Sequence, residues 1–166
     1  MLKNLQLSAL VNLQSIDSKI YKLKSLISEI PEKVDGQKET LVQFEAKLKE
    51  VQEDVSNAEK DQKDFEGQIQ MLNEKLKETR SKQAMVKTNS EYNALSNEIE
   101  NGKKKIDLTE ESLLEKLEFL PSLYEKMSSS ESELKVEGQR VNVKVEELNS
   151  KKKGCEGELQ NLLEEK

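Results

Sequence analysis

The sequence predicts an all-α fold: a long antiparallel coiled-coil helical hairpin made by one chain. Three observations carry this prediction. Apolar residues recur at alternating spacings of three and four, 36% of the residues are charged while only 4% are aromatic, and the repeat is interrupted once, near the middle. A stripe that repeats every 3.5 residues keeps facing one partner only when the helix supercoils around that partner. Because so few apolar residues among so many charges do not build a globular core, a helical rod is expected.

Two apolar stripes define the two arms of the hairpin, and the line along which they meet is called the seam. The first stripe runs from Leu2 to Val86 and the second from Tyr92 to Leu162. By the 3-4 spacing, 20 of 25 positions in the first stripe and 16 of 21 in the second are apolar. The polar members, several of them Gln, either specify the register at a cost in stability or mark loosely packed stretches.

The hairpin turn is expected at about residues 87–91, between the two stripes. Thr88 and Glu91 have the spacing of a capping box, in which the hydroxyl accepts a hydrogen bond from a free backbone N–H and the carboxylate reaches back. We assign the turn to Thr88, Asn89, Glu91 and Tyr92. The alternative is one uninterrupted helix with a phase slip at this point.

The lengths of the two arms favour the hairpin. A first arm of residues 1–87 and a second of residues 89–166 would match along about 115–130 Å, at a rise of about 1.5 Å per residue. Position i of the first arm then lies level with about position 177 − i of the second. Residues 1–166 are therefore predicted to form a single coiled-coil domain.

Two prolines mark expected irregularities. Pro31 lacks an N–H and its ring crowds the preceding turn, so we expect a kink or a short break in the first arm between Ile30 and Gly36. Beside Pro121 the predicted seam contains a four-residue stutter, which would unwind the coiled coil locally. That part of the predicted seam consists of Leu113, Leu117, Leu120, Tyr124, Met127 and Glu131.

The composition argues against an enzyme active site. The chain has no histidine and a single cysteine, Cys155, so it offers neither a His-based catalytic triad nor the ligands of a zinc site. Carboxylates on exposed helix faces are normally solvated or paired with Lys. We expect no catalytic residues, no enzymatic activity and no cofactor bound by these residues.

Charge and hydropathy limit the surroundings and the partners of the chain. A net charge of −6 argues against general binding to nucleic acid or to membrane surfaces. Because no run of about 18 apolar residues occurs, no membrane insertion is expected. A single cysteine fits a reducing compartment, and a cytoplasmic location is expected.

Two surfaces are candidates for binding a protein partner. The N-terminal apolar surface, which overhangs the end of the opposite arm, consists of Leu5, Leu7, Leu10 and Val11. Its partner is a second protomer in a homodimer, another protein, or a continuation of this chain beyond Lys166. The basic tip beside the turn either steers an acidic partner or RNA, or is ordinary helix-surface charge. It consists of Lys82, Lys87, Lys103, Lys104 and Lys105.

The segment from Val86 to Ile99, VKTNSEYNALSNEI, resembles the hairpin-turn motif of a bacterial family of coiled-coil proteins that end in a four-cysteine zinc ribbon. The stretch from Leu5 to Asp17, which contains LQSID, resembles the start of the same family. The cysteines of the ribbon are missing from this chain. Zinc is therefore expected only if a ribbon follows residue 166 in the full protein.

The resemblance implies a regulatory adaptor that binds protein partners. Members of that family include flagellar regulators that bind the alternative sigma factor sigma-54, and similar proteins occur in bacteria with a type III secretion apparatus, such as chlamydiae. Sigma-54 and secretion or flagellar components are thus the partners that the resemblance implies. A second function stays open: a structural coiled-coil stalk of a type III secretion export apparatus, which has similar length and charge. A Cys-x-x-Cys pair beyond Lys166 would favour the adaptor.

Overall fold

The computed structural model describes residues 1–166 as two α-helices joined by a short turn. Helix α1 spans Leu2–Met85 and helix α2 spans Asn89–Glu165. The two helices pack against each other and no strand is present, so the predicted all-α helical hairpin is confirmed. The sequence favours helix because Gly and Pro are few, six and two in total, and because Leu, Lys, Glu and Gln lose little side-chain freedom in a helix.

The turn comprises residues 86–88 and is shorter than predicted. Thr88 is the N-cap of α2: its hydroxyl Oγ1 accepts a hydrogen bond from the Glu91 N–H at 3.3 Å, and its carbonyl accepts one from the Tyr92 N–H at 3.1 Å. Asn89, Glu91 and Tyr92, which were assigned to the hairpin turn, therefore lie in the first turn of α2, within the predicted second arm of residues 89–166. The cap satisfies backbone donors that a helix start leaves free, which is why α2 begins here.

A seam residue ties the two helices together beside the turn. The Gln83 side-chain amide donates to Ser96 Oγ at 2.6 Å and to the Tyr92 carbonyl at 3.3 Å. Gln37 behaves differently, because its buried side-chain oxygen Oε1 has no hydrogen-bond partner. Of the polar seam residues, Gln83 thus holds the register, whereas Gln37 carries the desolvation cost of an unpaired group.

Helix α1 does not break at Pro31, which lies inside Leu2–Met85. Of the two predicted alternatives between Ile30 and Gly36, a kink or a short break, the break does not occur. A proline removes one backbone hydrogen bond, and the helix stays packed before it at the buried Ile30 and after it at the half-buried Val34. The predicted kink at Pro31 stays a prediction.

The helices divide into two compact units, one made of residues 47–131 and the other of residues 1–46 and 132–166. In the first unit the core is a cluster of Val55, Ala58, Leu120 and Leu123, against which Met127 packs. In this unit Leu76 lies close to Gly102, since a Cβ at position 102 would stand 3.3 Å from Leu76 Cδ1. Glycine at this seam position therefore permits a close approach of the two helices.

The four-residue stutter predicted beside Pro121 does not occur. Leu117 and Tyr124 are 40% and 41% exposed, and Glu131 is exposed as well. The seam instead keeps the regular 3-4 spacing, and its residues are Leu113, Lys116, Leu120, Leu123, Met127 and Ser130. The prediction placed Leu117, Tyr124 and Glu131 in the seam, where the structure has Lys116, Leu123 and Ser130. The Lys116 ammonium reaches Asp61 Oδ2 at 3.2 Å, and Ser130 is small enough to be buried.

In the second unit the buried residues come from both helices. Ile20, Leu23 and Ile30 lie on α1, and Val141 and Leu148 lie on α2. A polar cluster joins the two helices next to this core. Thr40 Oγ1 donates to Glu137 Oε1 at 3.1 Å, and Arg140 Nη2 donates to the same oxygen at 2.6 Å. These bonds, that of Arg140 first, hold the pKa of Glu137 below its ordinary value.

Candidate protein-binding site

The candidate site is the N-terminal segment, residues 2–13, which forms the first three turns of α1. The helix begins at Leu2, and the Leu5 N–H donates to the Met1 carbonyl at 3.2 Å. Every residue of the segment is exposed. The segment keeps helical geometry because the seam residues that follow it in α1 are packed, so the first turns extend a helix that is already nucleated.

An ion pair marks the level at which the second helix ends. Lys166 Nζ lies 2.7 Å from Asp17 Oδ1, and α2 ends at Glu165. Along α1 from the N-terminus, Ile16 is the first half-buried residue and Ile20 the first buried one. Most of the N-terminal segment therefore lies beyond the last residue of α2 in residues 1–166, and none of its side chains is buried.

All four apolar residues predicted for this surface are exposed: Leu5 at 68%, Leu7 at 63%, Leu10 at 64% and Val11 at 58%. The prediction missed Leu2 and Leu13, which are exposed too. The prediction named only apolar residues outside the seam stripe, whereas Leu2 and Leu13 belong to that stripe.

The apolar residues occupy two sides of the segment. At about 100° per residue, Leu2 and Leu13 continue the seam, with Leu5 at its edge, whereas Leu7 and Val11 lie on the opposite side. A helix that is hydrophobic on two opposite sides is normally buried between neighbours. The arrangement thus fits a helix that a partner contacts on two sides and not on one side alone.

Charge on the segment is low and positive. Lys3 is its one charged side chain, and the next charged residue along the chain is Asp17. Apolar residues with few charges are typical of the buried core of a protein interface, where desolvating a charge is costly.

The lysines of the predicted basic tip lie on both helices beside the turn. Lys82 and Lys87 line one shallow groove at the turn, and Glu91 lines the same groove. Lys105 lines a separate groove that also contains Glu98. Lys103 and Lys104 are exposed on α2. The basic tip stays a prediction, with carboxylates among its neighbours.

Other features of the chain offer little chemistry. No group of three or more His, Cys, Asp or Glu residues is arranged to hold a metal ion. Cys155 is half-buried in the seam. Neither helix contains a stretch long and apolar enough to cross a membrane.

The chain matches no family model and no curated protein sequence. Among solved structures it is similar to CT398 of Chlamydia trachomatis, with a TM-score of 0.63 and 21% identity over 95% of this chain and 70% of that one. It also aligns with the HP0958 protein of Helicobacter pylori, with a TM-score of 0.45 and 18% identity over 97% of this chain and 71% of that one. At these identities the similarity to the chlamydial protein shows a shared fold alone, and the second score carries no argument.

Proposed function

We propose that this chain is a non-enzymatic cytoplasmic adaptor that binds a helical protein partner through its N-terminal segment. The observation that carries the proposal is the exposure of six large apolar residues on a helix that projects past its partner helix, namely Leu2, Leu5, Leu7, Leu10, Val11 and Leu13. Full burial of such a side chain is favourable by roughly 1.5–3 kcal/mol, and these six residues lack part of that stabilisation because they are exposed to water. A partner that covers them supplies that burial.

The partner in this proposal is sigma-54, or a component of a flagellar or type III secretion apparatus. Support for this choice comes from the resemblance of residues 86–99 and 5–17 to the zinc-ribbon coiled-coil family. The second of these stretches coincides with most of the N-terminal segment. A helix laid into an apolar groove is a recurring mode of protein recognition, in which a few buried side chains supply most of the affinity.

Calorimetry with purified sigma-54 tests the proposal. The variant L7S/L10S should bind at least about tenfold more weakly, because two central apolar contacts are lost. Both residues are exposed, so the thermal midpoint of the variant should stay close to that of the wild type. The matched control is K103Q/K104Q/K105Q, which should bind like the wild type.

Salt separates the N-terminal segment from the basic tip. An apolar contact should respond little to ionic strength, whereas a contact through exposed lysines should weaken steeply, since such charges are screened within about 8 Å at physiological salt. Salt-sensitive binding that the lysine variant loses and the leucine variant keeps would place the partner at the tip. Absence of any binding to sigma-54 would overturn the named partner.

A further inference from the structure

A second apolar surface lies on α2, on the residues that the seam leaves out. Leu114, Leu117, Pro121 and Tyr124 are spaced three, four and three residues apart, which places them on one side of the helix. Leu114 is 57% exposed, and the other three are exposed as well. We call these four residues the α2 stripe. It extends over about 15 Å of helix, enough for two turns of a docked helix.

The backbone within the α2 stripe lacks one regular helical hydrogen bond. In a regular helix the carbonyl of Leu117 would accept a hydrogen bond from the N–H of residue 121, but Pro121 has none. The stripe therefore combines apolar side chains with a carbonyl that lacks its regular donor.

Tyr124 is held in place at one end of the stripe. Its hydroxyl donates to Glu59 Oε1 on α1 at 2.5 Å. This bond, followed by burial and the charge of Glu59, raises the pKa of Tyr124 above its ordinary value of 10.0. A tyrosine ring already fixed before binding loses little conformational freedom when a partner packs on it.

Acidic residues line the stripe on the side away from α1. Three carboxylates flank the stripe, those of Glu111, Glu118 and Glu125, and two continue its line towards the start of α2, those of Asp107 and Glu110. No basic residue lies among these positions. On the side towards α1 the register places Glu59 and Glu66 with one basic residue, Lys63. A partner that packs on the stripe therefore meets a predominantly negative rim.

We propose that the α2 stripe docks an amphipathic helix of another protein, with apolar residues at matching 3-4-3 spacing and Lys or Arg on its flanks. The apolar residues cover Leu114, Leu117 and Tyr124, and a flanking Lys or Arg donates to the carbonyl of Leu117. A second copy of this chain does not fit by pairing stripe to stripe, because its carboxylates would face those of the first. This surface is separate from the N-terminal segment, and the proposal is independent of the function proposed above.

The test uses the full chain and a designed probe, a fluorescent Ala-rich peptide of about 18 residues, long enough to form a helix. The probe carries four leucines at 3-4-3 spacing with Lys on both flanks, and a second probe carries Glu at the same flanks. The Lys probe should bind, and the Glu probe should bind at least about tenfold more weakly. No binding of the Lys probe, or equal binding of the two probes, overturns the proposal.

Variants locate the probe on the chain. L114S/L117S should weaken binding of the Lys probe at least about tenfold, and L114S alone serves if the double variant unfolds. The matched control is L108S, at a position that is 64% exposed on the other side of α2, and it should leave binding within about twofold. If L114S/L117S binds like the wild type, the attraction is a general charge effect and the proposal fails.

Two more measurements address the carbonyl and the second copy. P121A supplies an N–H to the Leu117 carbonyl, so helicity should rise while affinity for the Lys probe falls about threefold. Unchanged affinity would contradict the proposed hydrogen bond from the partner to the Leu117 carbonyl. Concentration-dependent self-association in sedimentation that L114S abolishes would identify a second copy as the occupant and overturn the proposed partner.

Discussion

Lys116 Nζ on α2 lies 3.2 Å from Asp61 Oδ2 on α1, an ion pair that joins the two helices within the unit of residues 47–131. Its two residue numbers add to 177, the value predicted from the arm lengths alone, and those of the bonded pair Thr40 and Glu137 do so in the other unit. The predicted register is thus confirmed at two places. Matching stripes restrict two antiparallel helices to registers in which apolar residues meet.

The register predicts a cross-link within one chain. With Cys155→Ser as background, cysteines at positions 65 and 113 should form an intramolecular disulfide, because both are half-buried seam residues on facing helices and their numbers add to 178. Non-reducing electrophoresis and free-thiol titration measure the product. The control pairs Phe65→Cys with Leu117→Cys, which lies outside the seam and should cross-link poorly. Disulfides that form only between chains would contradict the hairpin.

The corrected seam predicts unequal costs for two leucines on α2. Leu123→Ala should lower the free energy of unfolding by about 2–5 kcal/mol, because Leu123 is buried in the core cluster with Val55 and Ala58. Leu117→Ala should cost less, at most about 1–2 kcal/mol, since Leu117 is 40% exposed whereas Leu123 is 5% exposed. Urea unfolding followed by circular dichroism compares them. A larger loss of stability for Leu117→Ala than for Leu123→Ala would indicate that Leu117 lies in the seam, as the predicted stutter requires.

Replacing Pro31 with Ala should stabilise the chain. Pro31 is exposed and lies inside α1, so the substitution supplies an N–H for the carbonyl of Ile27 and removes a crowded ring. The gain in free energy of unfolding should reach up to about 3 kcal/mol. The neighbouring exposed residue Glu32, changed to Ala, is the control and should change stability little. A change in the small-angle scattering profile would reveal the predicted kink, and an unchanged thermal midpoint would mean that the helix bears no strain there.

Glu137 predicts a dependence of stability on acid pH. Its pKa is lowered in the folded state by the hydrogen bonds from Arg140 and Thr40. The stabilisation is therefore complete above the ordinary carboxyl pKa of 4.5 and is lost as the pH falls through the lower folded value. Glu137→Gln should be less stable than the wild type at neutral pH, and the difference should vanish at strongly acid pH. A difference that stays constant down to that pH would assign the effect to packing alone.

Part of each candidate surface followed from the sequence. The exposed apolar residues of the N-terminal segment were predicted because the count of residues left them beyond the opposite arm, and Leu5, Leu7, Leu10 and Val11 are indeed exposed. The basic tip was predicted from lysines that lie near the turn in the sequence, which does not give the side of the helix that each occupies. In the structure Glu91 lines a groove with Lys82 and Lys87, and Glu98 lines one with Lys105.

By itself the sequence determined the hairpin, its cap at Thr88 and its register, because these depend on local rules: hydrophobic spacing, capping chemistry and helix rise. It did not determine which of two neighbouring apolar stripes on α2 is buried. Leu117 is as apolar as Leu120 and Leu123, and only the packing of α1 against α2 decides that Leu117 is 40% exposed while the other two are buried. That choice depends on partners remote in sequence, such as Asp61, whose carboxylate makes a lysine tolerable in the seam. Burial depends on two helix surfaces together, and the residue pattern of one helix describes only its own surface.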